Sequence, residues 1–251
     1  GTQAGAAGIW TISAPSLVVV NGDEQGSLPA GSYYVPPLTT RNIQDGDINN
    51  AFATGTNVVL QSADYVQFDD AQIVADNASS LSLIVNAEGG IFGNAFSIRR
   101  IDSTLDMVFN ANASSLNNGN GGINFSNATL DSNGGNIAMY GQSDPVAGTA
   151  SNYNTGIALA DSTITTGGGN VLIRGSSTGA DAGFDDAGVV LDGVDIDAGS
   201  GAIDIYGLGA GDTSGVIALN SQLVAGGVGI DGTAEDGGDG VSLYYADISA
   251  G

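Results

Sequence analysis

The chain has 251 residues, of which 42% are hydrophobic and 41 are glycine, and it contains neither cysteine nor histidine. Its arginines and lysines number only four against 27 acidic residues, which gives a net charge of −23 at pH 7. This balance excludes nucleic acid and anionic membranes as partners, because both require a basic surface. The missing residue types also exclude disulfides, thiolate metal sites and His-dependent nucleophilic triads.

The first 46 residues read as an N-terminal element. They contain two strand-like runs, IWTIS at 9–13 and SLVVV at 16–20, and then a stretch with Pro and Gly at 26–38. Pro and Gly interrupt strands and favour loops. We therefore expect a strand pair and a wrapping segment at 1–46, followed by the main body of the chain at 47–251.

The main body is predicted to be a stack of repeated units. Three stretches align without gaps, at 122–141, 156–175 and 188–207, and each begins and ends with Gly. Their apolar residues recur in pairs two positions apart, which is the period of a strand, and the pairs form three clusters per unit. Two further units follow at 215–232 and 240–251. A single unit cannot bury its inward side chains, so we predict an all-β parallel β-helix, a solenoid with three short strands per coil.

The bends between the strands have two predicted forms. Glycines close together at 134–135, 167–169 and 199–201 indicate a corner with positive φ or close backbone approach. Insertions of different length separate the units, and such insertions map to one edge of a solenoid. The predicted edge is rich in Asp and Glu and is made by the insertions 142–155, 176–187, 208–214 and 233–239.

The chain resembles a known family in three segments. These are GIWTISAPSLVVV at 8–20, DINNAFATGTNVVLQS at 47–62 and the unit ending GGGNVLIRG at 167–175. They are similar to the large exoproteins of bacterial two-partner secretion, of the filamentous haemagglutinin type. The resemblance implies a right-handed β-helix that passes through an outer-membrane transporter pore and is secreted or displayed at the bacterial cell surface. Because the Asn-Pro-Asn motifs of the family's secretion domain do not occur, we expect an internal segment or a divergent member of the family.

The candidate binding residues form one column. Tyr140 and Tyr206 occupy the same outward position two coils apart, with Arg174 between them. An exposed Tyr–Arg–Tyr column is suited to stacking on a sugar or to a protein contact. The same column also fits a ladder that stabilises the stack.

The acidic residues suggest two further hypotheses. Carboxylates of the loops around Asp185–Asp186 and Asp236–Asp239 are candidate Ca²⁺ ligands, since Ca²⁺ prefers oxygen. Paired carboxylates such as Asp69–Asp70 or Asp185–Asp186 are also the groups that glycoside hydrolysis requires. We expect these pairs to be solvated turn residues, and we therefore predict no enzymatic activity and no cofactor apart from the calcium candidate.

Together these observations predict an adhesin, a rigid rod whose loops and outward side chains attach to a surface receptor or glycan on host or bacterial cells. Weak contacts repeated along the rod would add to its affinity. Two alternatives remain at this point. One is a carbohydrate-active β-helix enzyme, and the other is a mechanical spacer that carries an effector encoded elsewhere.

Overall fold

The computed structural model describes residues 8–22, 40–111, 122–143, 155–177, 186–235 and 237–251. In these residues the chain forms 24 strands and one helix, α1 (Asp45–Ala53). The strands make three sheets of eight, nine and seven members, and the pairing within each sheet is parallel. The prediction of an all-β parallel β-helix with three strands per coil is confirmed.

Sheet A consists, in order, of β1 (Ile9–Ala14), β4 (Asn57–Ser62), β7 (Leu81–Ala87), β10 (Leu105–Ala111), β13 (Ile137–Ser143), β16 (Val171–Ser177), β19 (Ala202–Gly209) and β22 (Gly227–Ala234). Sheet B consists of β3 (Thr40–Gln44), β2 (Ser16–Val20), β5 (Val66–Asp69), β8 (Gly90–Asn94), β11 (Gly122–Ser126), β14 (Ile157–Ala160), β17 (Val189–Asp192), β20 (Val216–Leu219) and β23 (Val241–Tyr244). Sheet C consists of β6 (Gln72–Ala75), β9 (Ser97–Arg100), β12 (Thr129–Asp131), β15 (Thr163–Thr165), β18 (Asp195–Asp197), β21 (Gln222–Ala225) and β24 (Asp247–Ala250).

The predicted register of the repeats is confirmed in all three sheets. Ile123 pairs with Ile157 in sheet B, Leu130 with Ile164 in sheet C and Met139 with Ile173 in sheet A, and the two residues of each pair are thirty-four positions apart. Every position of the aligned units therefore stacks on its equivalent one coil away. The N-terminal strands join the same stack, since β1 pairs with β4 and β2 with β5.

The core lies inside the three sheets and is continuous along the stack. Its widest side chains are four phenylalanines from successive coils, in which Phe96 stacks on Phe68 at 5.0 Å between ring centroids and meets Phe125 edge-on at 4.9 Å. Phe109 contacts both Phe68 and Phe125. Gly93 pairs with Phe68 and Phe125 in sheet B, and the ring of Phe96 fills the space where a side chain at Gly93 would lie. Each fully buried side chain of this kind contributes about 1.5–3 kcal/mol to folding.

Glycine ends each repeat because two coils approach closely there. Gly141, Gly175, Gly207 and Gly232 occupy one inward position of sheet A. A Cβ at any of them would overlap the backbone carbonyl of the residue immediately before the next sheet B strand. Earlier coils carry small residues in the same column, namely Ala14, Ser62, Ala87 and Ala111.

The corners between sheets C and A follow the predicted glycine pairs. Gly134, Gly167 and Gly199 have φ values of 97°, 64° and 58°, which side chains rarely adopt. A Cβ on Gly169 or Gly201 would overlap the backbone of the preceding coil. These corners therefore need glycine for both of the predicted reasons.

The corners between sheets B and C contain one left-handed residue in each of seven coils. This regularity is not visible in the aligned repeats, because the residue type changes from coil to coil. Asn and Asp tolerate this conformation better than other non-glycine residues. The seven positions are Asp70, Ala95, Asn127, Asp161, Gly193, Asn220 and Tyr245.

The four insertions share the third corner. Each connects a strand of sheet A to the following strand of sheet B, as the prediction of variable loops along one edge requires. Their lengths differ without changing the sheets, because the register on both sides is preserved. Much of the insertions at 142–155 and 176–187 lies outside the described residues, as does the predicted wrapping stretch at 26–38.

Helix α1 covers the N-terminal edge of sheet C. Ile48 and Phe52, four residues apart, are fully buried under the first coil. Asn49 Oδ1 accepts a hydrogen bond from the N–H of Val74 at 2.7 Å, and its Nδ2 donates to the carbonyl of Gln72 at 3.2 Å. The side chains of α1 thus satisfy edge groups of β6 that would otherwise invite another strand.

We did not predict α1 from the sequence. We expected the solenoid itself to begin at about residue 47, which lies inside this helix. The division of the chain at 46/47 into two domains stays a prediction. α1 is nine residues long, and the described part of the chain contains no helix with the length and hydropathy of a membrane span.

Candidate functional site

The outer face of sheet A carries two parallel columns of side chains, because alternate residues of a strand face outward. One column is polar and contains the Tyr–Arg–Tyr set. Its neighbour, two residues earlier in each strand, is partly buried and is aliphatic in three successive coils, at Val108, Ala138 and Leu172. In β19 the same position is Asp204. The polar column is formed by Gln61, Asn86, Asn110, Tyr140, Arg174, Tyr206 and Asp231.

Tyr140, Arg174 and Tyr206 stand at directly paired positions of β13, β16 and β19, as the sequence predicts. Both tyrosines are 38% exposed, and Arg174 is exposed between them. The guanidinium carbon of Arg174 lies 4.7 Å from the ring centroid of Tyr206, within the range of a cation–π contact. The contact between Arg174 and Tyr206 is the packing that a stabilising ladder would show. The column also leaves ring surface accessible to a ligand.

Three amides continue the column towards the N-terminus, and the sequence did not reveal them. Gln61, Asn86 and Asn110 occupy the position of Tyr140 in β4, β7 and β10. Asn110 Nδ2 donates to Asn86 Oδ1 at 2.7 Å, which orients both amides. An amide has two donors and two acceptor sites, so this single bond leaves capacity for a ligand. Their shared position could not be read from the sequence, because an alignment of these coils with the later units requires gaps.

Two adjoining hollows lie along the polar column. The larger has a volume of about 700 Å³ and is lined by the three amides, Tyr140 and Arg174. The smaller, of about 240 Å³, continues past Tyr206 to Asp231. Both hollows include Arg174 and Ser176 in their walls. We call the two together the sheet A groove.

Arg174 supplies the cationic charge of the sheet A groove. Arg100, by contrast, has a structural role. Arg100 is 4% exposed, and its guanidinium donates to the carbonyl oxygens of Ala75, Asn77 and Ser79 in the preceding coil. Burial lowers the pKa of Arg100, and the nearby Asp102 and Asp76 oppose this shift. Arg100 therefore holds a corner together and is not presented to a ligand.

The calcium candidates are only partly visible. Asp185 and Asp236 lie outside the described residues. Asp186 is only 1% exposed, and its backbone carbonyl accepts a hydrogen bond from Thr213 Oγ1 at 2.9 Å. Asp239, by contrast, is exposed. Asp186 and Asp239 precede β17 and β23, which lie on either side of β20, so their coils are about 10 Å apart. Within the described residues no group of three or more His, Cys, Asp or Glu is arranged to hold a metal ion, and calcium binding stays a prediction.

Among the described residues that line the sheet A groove, the two carboxylates stand far apart. Glu88 follows β7 and Asp231 lies in β22, five steps along sheet A, which corresponds to about 24 Å. Glycoside hydrolysis uses carboxyl groups about 5–10 Å apart. Asp69 and Asp70 are exposed residues at the corner between sheets B and C, and Asp70 is the left-handed residue of that corner.

Comparison of this chain with protein-family models, with curated proteins and with solved structures found no match. The resemblance to two-partner secretion exoproteins therefore stays a prediction from the sequence.

Proposed function

We propose that this chain is a segment of a secreted or surface-displayed bacterial adhesin, and that the sheet A groove is its attachment surface. The observation that carries the proposal is the exposed Tyr140–Arg174–Tyr206 column in the wall of the sheet A groove, whose larger hollow has a volume of about 700 Å³. Tyr and Arg are the residue types most enriched where binding energy concentrates. The bacterial origin and the export route rest on the sequence resemblance alone.

The rod-like fold supports this function in a second way. Coils stacked in register hold side chains of the polar column at a fixed spacing, which is about 4.8 Å between neighbouring strands. Side chains held in this way lose little conformational freedom on binding, so the cost of ordering them is low. The spacing of Glu88 and Asp231 does not match paired-carboxylate hydrolysis, which favours attachment over the carbohydrate-active alternative.

The test is attachment of the fluorescently labelled protein to cultured epithelial cells and to bacterial cells. The double variant Arg174→Ala/Tyr206→Ala removes the cation–π pair, and we expect it to reduce attachment at least tenfold. The matched control is Arg99→Ala/Tyr244→Ala, which removes an exposed arginine and an exposed tyrosine from sheets C and B. Equal attachment of the wild type and of both variants would refute an adhesive role for the sheet A groove.

A further inference from the structure

The direction of the sheet A groove restricts what it can bind. Its column residues come one from each strand between β4 and β22, so the groove crosses the strands and follows the axis of the stack. From Gln61 to Asp231 it spans six steps of sheet A, which is about 29 Å. A groove of this length and direction fits an extended polymer better than a compact ligand.

The polar groups of the groove fit hydroxyl groups. Asn86, Asn110 and Gln61 each offer both hydrogen-bond donors and acceptors, and a hydroxyl also does both. Charged recognition would require a dense set of ions of one sign, which the larger hollow does not have among its described residues: its ionic side chains are Arg174 and Glu88. The groove therefore favours a neutral, hydroxyl-rich ligand.

Apolar surface lies beside these amides. The aliphatic column of Val108, Ala138 and Leu172 runs parallel to the polar column, and the exposed ring of Tyr140 lies in the wall of the larger hollow. A sugar ring has an apolar face of C–H groups and an equatorial rim of hydroxyls, so it needs both kinds of surface side by side.

Charge and backbone pairing argue against other polymers. The net charge of −23, with Glu88 and Asp231 at the groove, repels polyanions such as nucleic acid or sulfated glycans. An extended peptide binds most readily by adding a strand to a sheet edge. The groove lies on the face of sheet A, where both neighbours of each inner strand are already paired, so it offers no such edge.

We propose that the sheet A groove binds a linear, uncharged polysaccharide whose chain runs along the axis of the stack and contacts several coils at once. This inference rests on the proposed adhesive function and names its ligand class. Because successive sugars would meet successive coils, the affinity depends on the length of the oligosaccharide. Gln61, Asn86 and Asn110 hydrogen-bond the hydroxyls at one end, while Tyr140 and Tyr206 contact sugar rings at the other.

The test is isothermal titration of the intact chain with oligosaccharides of two, four and six sugars from β-1,4-glucan, β-1,3-glucan, mannan and xylan, with a heparin hexasaccharide for comparison. We expect at least one uncharged series to bind, with an affinity at least tenfold higher for six sugars than for two. We expect Asn110→Ala and Tyr140→Ala each to weaken the binding of the hexamer about tenfold. The matched controls Asn124→Ala and Tyr244→Ala, both in sheet B, are expected to bind as the wild type does.

Three results would overturn the inference: no binding of any uncharged series, equal affinity for two and six sugars, or tighter binding of heparin than of every uncharged hexamer. Circular dichroism of each variant shows whether the fold is retained, so that loss of binding is assigned to the groove. If the Arg174→Ala/Tyr206→Ala variant loses attachment to cells but no oligosaccharide binds, the ligand class is wrong and the adhesive function stands. If attachment persists in that variant, the proposed function itself fails.

Discussion

The cap formed by α1 gives the sharpest prediction about stability. Asp45 lies in the first turn of α1 and is 4% exposed. Its Oδ1 accepts from the N–H of Gly22 at 3.0 Å, and its Oδ2 accepts from the N–H of Gln72 at 2.6 Å. The carboxylate thus joins α1 both to the end of β2 and to the edge of β6. The substitution Asp45→Ala leaves two backbone donors without their acceptor.

The expected loss of stability in Asp45→Ala follows from these two hydrogen bonds. A hydrogen bond to a charged group contributes about 1.5–3 kcal/mol, and the burial of Asp45 limits replacement by water, so the expected loss is about 3–6 kcal/mol. Asp47 is the matched control, since it also lies in the first turn of α1. Its favourable interaction with the helix N-terminus is worth about 0.3–1 kcal/mol, so Asp47→Ala is expected to cost about 1 kcal/mol at most.

Hydrogen–deuterium exchange resolved by peptide measures this loss where it occurs. Coils of a solenoid contact only their neighbours, so the destabilisation is expected to be local. In Asp45→Ala, exchange in α1 and β6 should accelerate by about 10²–10⁴, since about 1.4 kcal/mol corresponds to tenfold. Exchange in β15 and β18 should be unchanged. Equal effects of Asp45→Ala and Asp47→Ala, or acceleration spread evenly over all coils, would refute the reasoning.

Three further predictions about the packing are tested by urea denaturation. Gly175→Ala should destabilise the chain by about 1–3 kcal/mol, because its Cβ would overlap the next coil, whereas Gly227→Ala, with nothing within 4 Å, should change stability little; similar midpoints for both would contradict this account. Phe96→Ala should cost about 3–5 kcal/mol by emptying the centre of the phenylalanine cluster, and a cost below 1 kcal/mol would show that the cluster is not tightly packed. Ala95→Gly should raise stability by up to about 1 kcal/mol, since Ala95 has a φ of 53° that favours glycine, and a lower midpoint would oppose this.

The repeated half of the fold was predictable because one physical constraint recurs in every coil. Stacking places equivalent residues in contact, so Ile123, Ile157 and Val189 must all be apolar, and the sequence shows this directly. Glycine at the corners was readable for the same reason, since each coil needs the same backbone geometry there. By contrast, α1 occurs once in the described residues, and its signal is only the pair Ile48 and Phe52 four residues apart.

The sequence predicted one part of the candidate site and not the other. Tyr140, Arg174 and Tyr206 fall in units that align without gaps, so their common column followed from counting residues. Asn86 and Asn110 belong to coils with different corner lengths, where counting fails and only the strand pairing establishes the register. Their role in the groove therefore emerged only from the structure.

The sequence by itself determined the fold class, the number of strands per coil and the strand positions of the aligned units, since these follow from local alternation of apolar residues that recurs in the same order in each unit. Only the tertiary structure decided what the outer face of sheet A contains. A groove is a relation between side chains that are distant in the chain, such as Gln61 and Arg174, and the pairing of whole strands brings them together. The same reason applies to α1, whose hydrogen bonds join residues more than twenty positions apart, from Asp45 to Gly22 and Gln72.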